Sequence, residues 1–263
     1  MKPVETFEIA IDRAEHFLTL YDLVQDSRTR SVRKDWAAKF LKIMPWSVND
    51  AIVRVDGKDR NSVLILSEKL EIGREQFSHT YASELLRSAV VSAVSAQDRY
   101  FHDVVVHHSL KMLIKKEEDV PKELKKISIP LIETKRAIDR ARKPGNTRPR
   151  GVIKSALQQQ LHRQFTFQNP YSVIKAAQML GVEDFWGKVA IKMPGKPAKG
   201  EIITTLRKIS ARRNQIVHEA DIIVSTRAQG TRTRPIKMQV TKTWVEWTGI
   251  FVRAADLVIE DAV

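Results

Sequence analysis

The sequence predicts an all-α protein in which a helical domain, residues 73–263, follows an N-terminal extension, residues 1–72. Three observations carry that prediction. Residues 76–115 run for about forty positions without proline or glycine, with apolar side chains from Phe77, Tyr81 and Leu85 to Val104, Val105 and Leu110 recurring at three and four, which makes a central helical spine. Both ends of the chain repeat this spacing, through Phe7, Ile11, Ala14, Leu18 and Tyr21 and through Trp244, Trp247, Phe251, Ala254 and Leu257. Prolines and glycines gather with basic residues in short loops, notably 142–150 and 192–200.

Taken in order, residues 4–26 read as an amphipathic helix facing a core, since both signs of charge occupy its other side. A basic link, Arg28 to Lys34, leads to a second helix through Trp36, Phe40, Leu41 and Met44, stopped by Pro45. The apolar runs 51–55 and 63–66 flank Asp56-Gly57-Lys58-Asp59, so a small hairpin near 51–66 is expected, with a short helix after a loop as the alternative. The spine follows. Pro121 to Arg142 is a second helical zone broken at Pro130, and helices are expected over 151–164, from Asn169-Pro170 to Leu180, and from Asp184. Another helix opens at Glu201, and its apolar spacing (202, 206, 209, 216, 220, 223) predicts that it continues past residue 220. After a basic loop over 227–237 the chain closes with a helix over 241–260.

Composition limits the function classes. The formal net charge is +14 and the pI about 10.0, a bias that attracts polyanions, although charge alone leaves a nucleic-acid partner and a merely solvated surface equally open. No cysteine is present, which removes disulfides, thiolate nucleophiles and cysteine zinc sites. There is no apolar run of about eighteen residues, so no membrane partner is expected, and the acidic start does not resemble a secretory signal; a cytoplasmic protein is expected. No phosphate-binding glycine loop, His-Glu-x-x-His or Gly-x-Ser-x-Gly occurs. His102, His107 and His108 stand near Asp98 and Asp103, but only Asp98 and His102 share a helical face. Neither a metal nor another cofactor is expected.

The chemistry concentrates in Arg212-Arg213-Asn214-Gln215-Ile216-Val217-His218-Glu219-Ala220-Asp221. Arg213 falls where the apolar stripe expects a hydrophobic side chain, so its guanidinium either reaches out to water or needs an anion. By helical spacing Asn214, His218 and Asp221 share another face. A histidine can move the proton of a ribose 2′-hydroxyl or of a leaving oxygen, and an arginine can neutralise charge growing on phosphate. Positions five apart are about 140° apart on an ideal helix, so one regular helix is not expected to aim both at one atom. Either the helix end distorts or a second copy completes the site. Asp98 interrupts the spine stripe Val91, Val94, Phe101, Val105 and wants a cationic or donor partner.

Arg213-Asn214-Gln215-Ile216-Val217-His218 resembles the R-x-x-x-x-H signature of HEPN (higher eukaryotes and prokaryotes nucleotide-binding) domains. The spine, Leu85 to Val94 and Asp98 to Asp103, is similar to the first core helix of the RiboL-PSP-HEPN kind, and the resemblance covers about residues 75–260. It implies an up-and-down helical bundle that forms a homodimer and acts as a metal-independent endoribonuclease in a defence or toxin system. Arg213 would then contact the scissile phosphate, His218 would be the acid or base, and Asn214 would orient the substrate or the histidine. An acid on the spine would support the arginine; Asp98 is the first choice, Glu84 the second, and Asp221 a further supporting residue. Arg212, Lys196, Lys199, Arg148 and Arg150 are the expected contacts to the RNA backbone. Members paired with a nucleotidyltransferase antitoxin carry a Tyr two residues after the histidine; Ala220 stands there, which speaks against such a partner and leaves another antitoxin or protein partner open. The rival readings are a non-catalytic HEPN module binding RNA or a protein, and a DNA-binding helical protein, for which no helix-turn-helix pattern is visible.

Overall fold

The computed structural model describes the chain except residues 26, 45, 47–50, 58–62, 68–77, 113, 115, 143–148, 225–230 and 263. It is a helical bundle with few short strands. The first helix, α1 (Pro3–Val24), starts at a proline whose missing N–H costs nothing in the first turn, and the Glu5 carboxylate accepts from the Lys2 N–H. Its face Phe7, Ile11, Ala14, Leu18, Tyr21 is buried against the spine, α3 (His79–Met112). The first helix of the extension over 1–72 contributes Phe7, Ile11, Ala14, Leu18 and Tyr21 to the bundle core. The boundary drawn at 72/73, like Phe77, lies outside the described residues.

Around α3 pack α6 (Pro149–Gln164), α7 (Pro170–Met179), α9 (Lys199–His218) and α10 (Met238–Ala262); α8 (Phe185–Lys192) sits against α9 and α10. Phe101 is the hub of the core, with Phe167, Phe185 and Phe251 rings at 6.2–6.4 Å and Tyr100 at 5.1 Å. Helix starts follow local chemistry. Asn169 caps α7 by accepting from the Ser172 N–H at 3.0 Å, and Pro170 follows it. Pro130 divides the zone after the spine into α4 (Lys122–Lys125) and α5 (Leu131–Ala141).

The expected hairpin exists as β2 (Ile52–Asp56) and β3 (Val63–Ser67), antiparallel. The basic link before α2 (Lys34–Ile43) contributes a third strand, β1 (Arg28–Arg30), paired to β2, which the charge of that link concealed. A second small sheet follows α9, with β4 (Ile222–Val224) antiparallel to β5 (Thr231–Thr233). Here the sequence expectation fails. The apolar residues after 218 continue the numerical period, yet the helix stops at His218 because Ala220 and Asp221 adopt left-handed backbone, φ 48° and 55°.

Candidate active site

The site is built where α9 ends over the start of α3. The Gln215 carbonyl accepts from the N–H groups of both Glu219 and Asp221, at 3.2 and 3.0 Å, and the chain then folds back. A left-handed non-glycine residue costs about 1–3 kcal/mol. Aspartate is among the few non-glycine residues that enter this region, and here its side chain is compensated: the Asp221 carboxylate, 1% exposed, accepts from Arg87 Nε at 2.6 Å and from Arg212 Nη2 at 2.8 Å, with Arg212 Nη1 closing a second bond. Arg87 is itself buried and also donates to Ser83 Oγ at 2.7 Å, Glu84 Oε1 at 3.0 Å and the Arg234 carbonyl at 2.8 Å. The Arg234 N–H in turn donates to the Asp221 carbonyl at 2.8 Å, and its guanidinium to Glu219 at 2.9 Å. One network thus ties α3, the end of α9 and the β4–β5 hairpin together.

On top of this base sit the motif residues. Arg213 Nη1 lies 3.3 Å from His218 Nε2 and donates to Asn214 Oδ1 at 3.2 Å. Asn214 and His218 are exposed and Arg213 is half-buried. The separation of about 140° for positions five apart is bridged without distorting the helix, because the long arginine side chain reaches a histidine on the last helical residue. A guanidinium has only donors, so a hydrogen bond at this contact requires the His218 Nε2 lone pair, as in the tautomer with its proton on Nδ1. The pair presents an imidazole and a guanidinium side by side at an exposed helix end, an arrangement that suits proton transfer beside a phosphate.

Several expected roles change. Asp98 does not meet Arg213: it accepts from the Phe167 N–H and, at 3.0 Å, from the Gln168 amide, with His102 at 3.6 Å, so it anchors the segment before α7. Glu84 is close to the site but bonds Arg87 rather than Arg213. Asp221 does not share the exposed face of Asn214 and His218, because the helix ends before it and the turn carries it inward. Arg212 is held by Asp221 and Gln215 instead of facing solvent for RNA. Lys199 opens α9, about 28 Å from His218 at 1.5 Å per residue, and pairs with Asp184 at 2.7 Å, while Lys196 lies in the loop before it. Arg150 is exposed in the first turn of α6, and Arg148 lies outside the described residues.

Arg87 escaped the sequence reading, although the signal used for Asp98 was present: it continues the buried row Ser83, Val90, Val94, Gln97, Phe101.

A helical bundle with an Arg-His pair at a helix end fits the HEPN class, which suggests a ribonuclease or an RNA-binding module. The family model for RiboL-PSP-HEPN matches residues 58–260, and the chain belongs to that family. Searches of curated proteins and of solved structures found no match.

Proposed function

We propose that the protein is a metal-independent endoribonuclease whose reacting groups are Arg213 and His218. The observation that carries this is the 3.3 Å approach of Arg213 Nη1 to His218 Nε2 on an exposed helix end. In the reading, an incoming phosphate draws Arg213 off the imidazole, and the freed Nε2 takes the proton of the ribose 2′-hydroxyl. The 2′-oxygen bonds to phosphorus, the P–O5′ bond breaks, and the leaving oxygen takes a proton, giving a 2′,3′-cyclic phosphate and a 5′-hydroxyl. Asn214, bonded to Arg213, orients that guanidinium. Arg87, Asp221 and Arg212 position the helix end and touch no substrate.

The leaving 5′-oxygen needs a proton donor separate from the Nε2 that accepts the 2′-hydroxyl proton in the same step, and in a homodimer the partner's His218, in its protonated form, would donate that proton and be left neutral. Val217 and Ile222, exposed apolar side chains on either side of His218, support a second copy at this face. Arg232, exposed on β5, and Arg150 are the described cations offered to the RNA backbone. A cytoplasmic role in defence or as a toxin belongs to the same reading.

The test is incubation of purified protein with RNA in EDTA, with the chemistry of the new ends determined. Cyclic phosphate ends that vanish in both Arg213→Ala and His218→Ala are expected. Cleavage that persists in the double variant removes the proposal, and RNA that stays intact with wild-type protein shifts the assignment to an RNA-binding module.

A further inference from the structure

The surface formed by β1, β2 and α2 lies ahead of the family match except for its β3 neighbour, and the α9 chemistry does not use it. Residues 27–46 carry six cations (Arg28, Arg30, Arg33, Lys34, Lys39, Lys42) against one acid, Asp35. Within the sheet Arg30 stands directly opposite Arg54, a like-charge cross-strand pair that is unfavourable unless an anion lies between. The buried Asp56 supplies one charge for the two, binding Arg30 Nε at 2.9 Å and Arg54 Nε at 2.6 Å. In both pairs the closest approach to the carboxylate is through Nε. Arg33 has no carboxylate partner among the described residues.

Beside these arginines is an aromatic row. Trp36 and Phe40, one helical turn apart on α2, stack at 5.0 Å with planes 13° apart, and Trp46 meets Phe40 edge-on at 5.8 Å. Trp36 is 44% exposed, and with Arg30, Arg33, Arg54 and Ile65 it walls an open concavity of about 430 Å³. Fixed cations around an exposed, pre-stacked indole match a phosphate backbone carrying unpaired bases. A duplex hides its base faces and would leave Trp36 without a partner.

We propose that this surface is a single-stranded RNA-binding platform, with Trp36 stacking on a base and Arg33, Arg30 and Arg54 contacting phosphates. The choice of RNA rests on the ribonuclease reading of the α9 site. The step is binding only.

The test uses the full chain carrying His218→Ala, so that RNA is not cut, and a fluorescein-labelled 20-nucleotide polypyrimidine RNA, followed by anisotropy across a salt series. Adding Trp36→Ala weakens single-strand binding at least about fivefold, the range for one base–aromatic stack. Trp36→Phe restores it to within about twofold, while the same sequence as a duplex changes less. Arg33→Ala reduces the slope of log affinity against log salt by about 0.7, one phosphate contact on a single strand. Both positions are exposed, so circular dichroism and melting are expected to match the parent. Unchanged single-strand affinity in Trp36→Ala and Arg33→Ala, as a protein-docking surface would give, overturns the platform, as does equal loss for single strand and duplex. The two readings fail separately. Wild-type cleavage alongside unaltered binding by Trp36→Ala rejects the platform alone, and loss of binding in Trp36→Ala with no wild-type cleavage rejects the nuclease alone.

Discussion

The two halves of α3 bury polar groups in opposite ways. Near its start, Arg87 is buried as a permanent cation and uses four bonds, to Asp221, Ser83, Glu84 and the Arg234 carbonyl. Near its end, His102 and His108 are buried, each with one carboxylate just beyond hydrogen-bond range, Asp98 at 3.6 Å and Glu260 at 3.5 Å, and neither ring nitrogen of His108 has a hydrogen-bond partner among the described residues. Burial lowers both histidines to about 4; Lys111 and His107 add to the effect at His108, and Asp98 opposes it at His102. A buried charge must keep every partner, whereas an imidazole can shed its charge, leaving only the smaller cost of its unpaired polar nitrogens. The support under the active site is therefore exposed to loss of any one partner, and the far half of the spine to acid.

Asp221→Ala is the sharpest way to break the first half. It leaves the guanidiniums of Arg87 and Arg212 without their shared anion, and removing one partner of a buried pair costs about 3–5 kcal/mol. Urea unfolding at pH 7 measures it. A loss below about 1 kcal/mol would mean that water replaces the carboxylate and that the network does not hold the helix end. Asp221→Asn tests charge separately from shape and is expected to fall between.

The second half breaks with acid. Unfolded imidazoles bind protons below about pH 6.5, while folded His102 and His108 do so only below about 4. Between those values unfolding takes up protons, so stability declines as pH falls, by up to on the order of 3 kcal/mol for each histidine. Asp256, whose carboxyl is held above its ordinary range by burial and works against this at lower pH, makes a variant necessary to isolate the effect. His108→Gln is expected to lose less stability than wild type between pH 7 and pH 4.5. An identical loss would show that His108 is protonated or hydrated in the folded state.

The spine, the terminal helices and the Arg-His motif are legible in the sequence because period and residue type decide them. The end of α9 is not. Apolar residues at 216, 220 and 223 keep helical spacing, and only the left-handed turn at Ala220 and Asp221, stabilised by arginines 9 and 134 residues away in sequence, interrupts it. The same limit explains Asp98. A carboxylate in an apolar row announces that it has a partner, and backbone and amide donors at Phe167 and Gln168 satisfy it as well as an arginine. The partner of a buried charge is a property of the tertiary contact, not of the row that carries it.

The smallest expected effect on stability separates neighbours in sequence. Arg212 belongs to the buried network and His218 is the exposed end of the reacting pair, so two residues of one helix end should respond oppositely to truncation. Arg212→Ala removes both bonds to Asp221 and should cost several times what His218→Ala costs, which for an exposed side chain outside such networks stays within about 0.5 kcal/mol. RNA cleavage should show the reverse ranking at low temperature, where every variant is folded: none for His218→Ala, and a residual rate for Arg212→Ala, because Arg87 still holds Asp221 and the turn. If His218→Ala proves as destabilising as Arg212→Ala, the imidazole is part of the support, and the division between a buried base that positions and an exposed pair that reacts fails at this helix end.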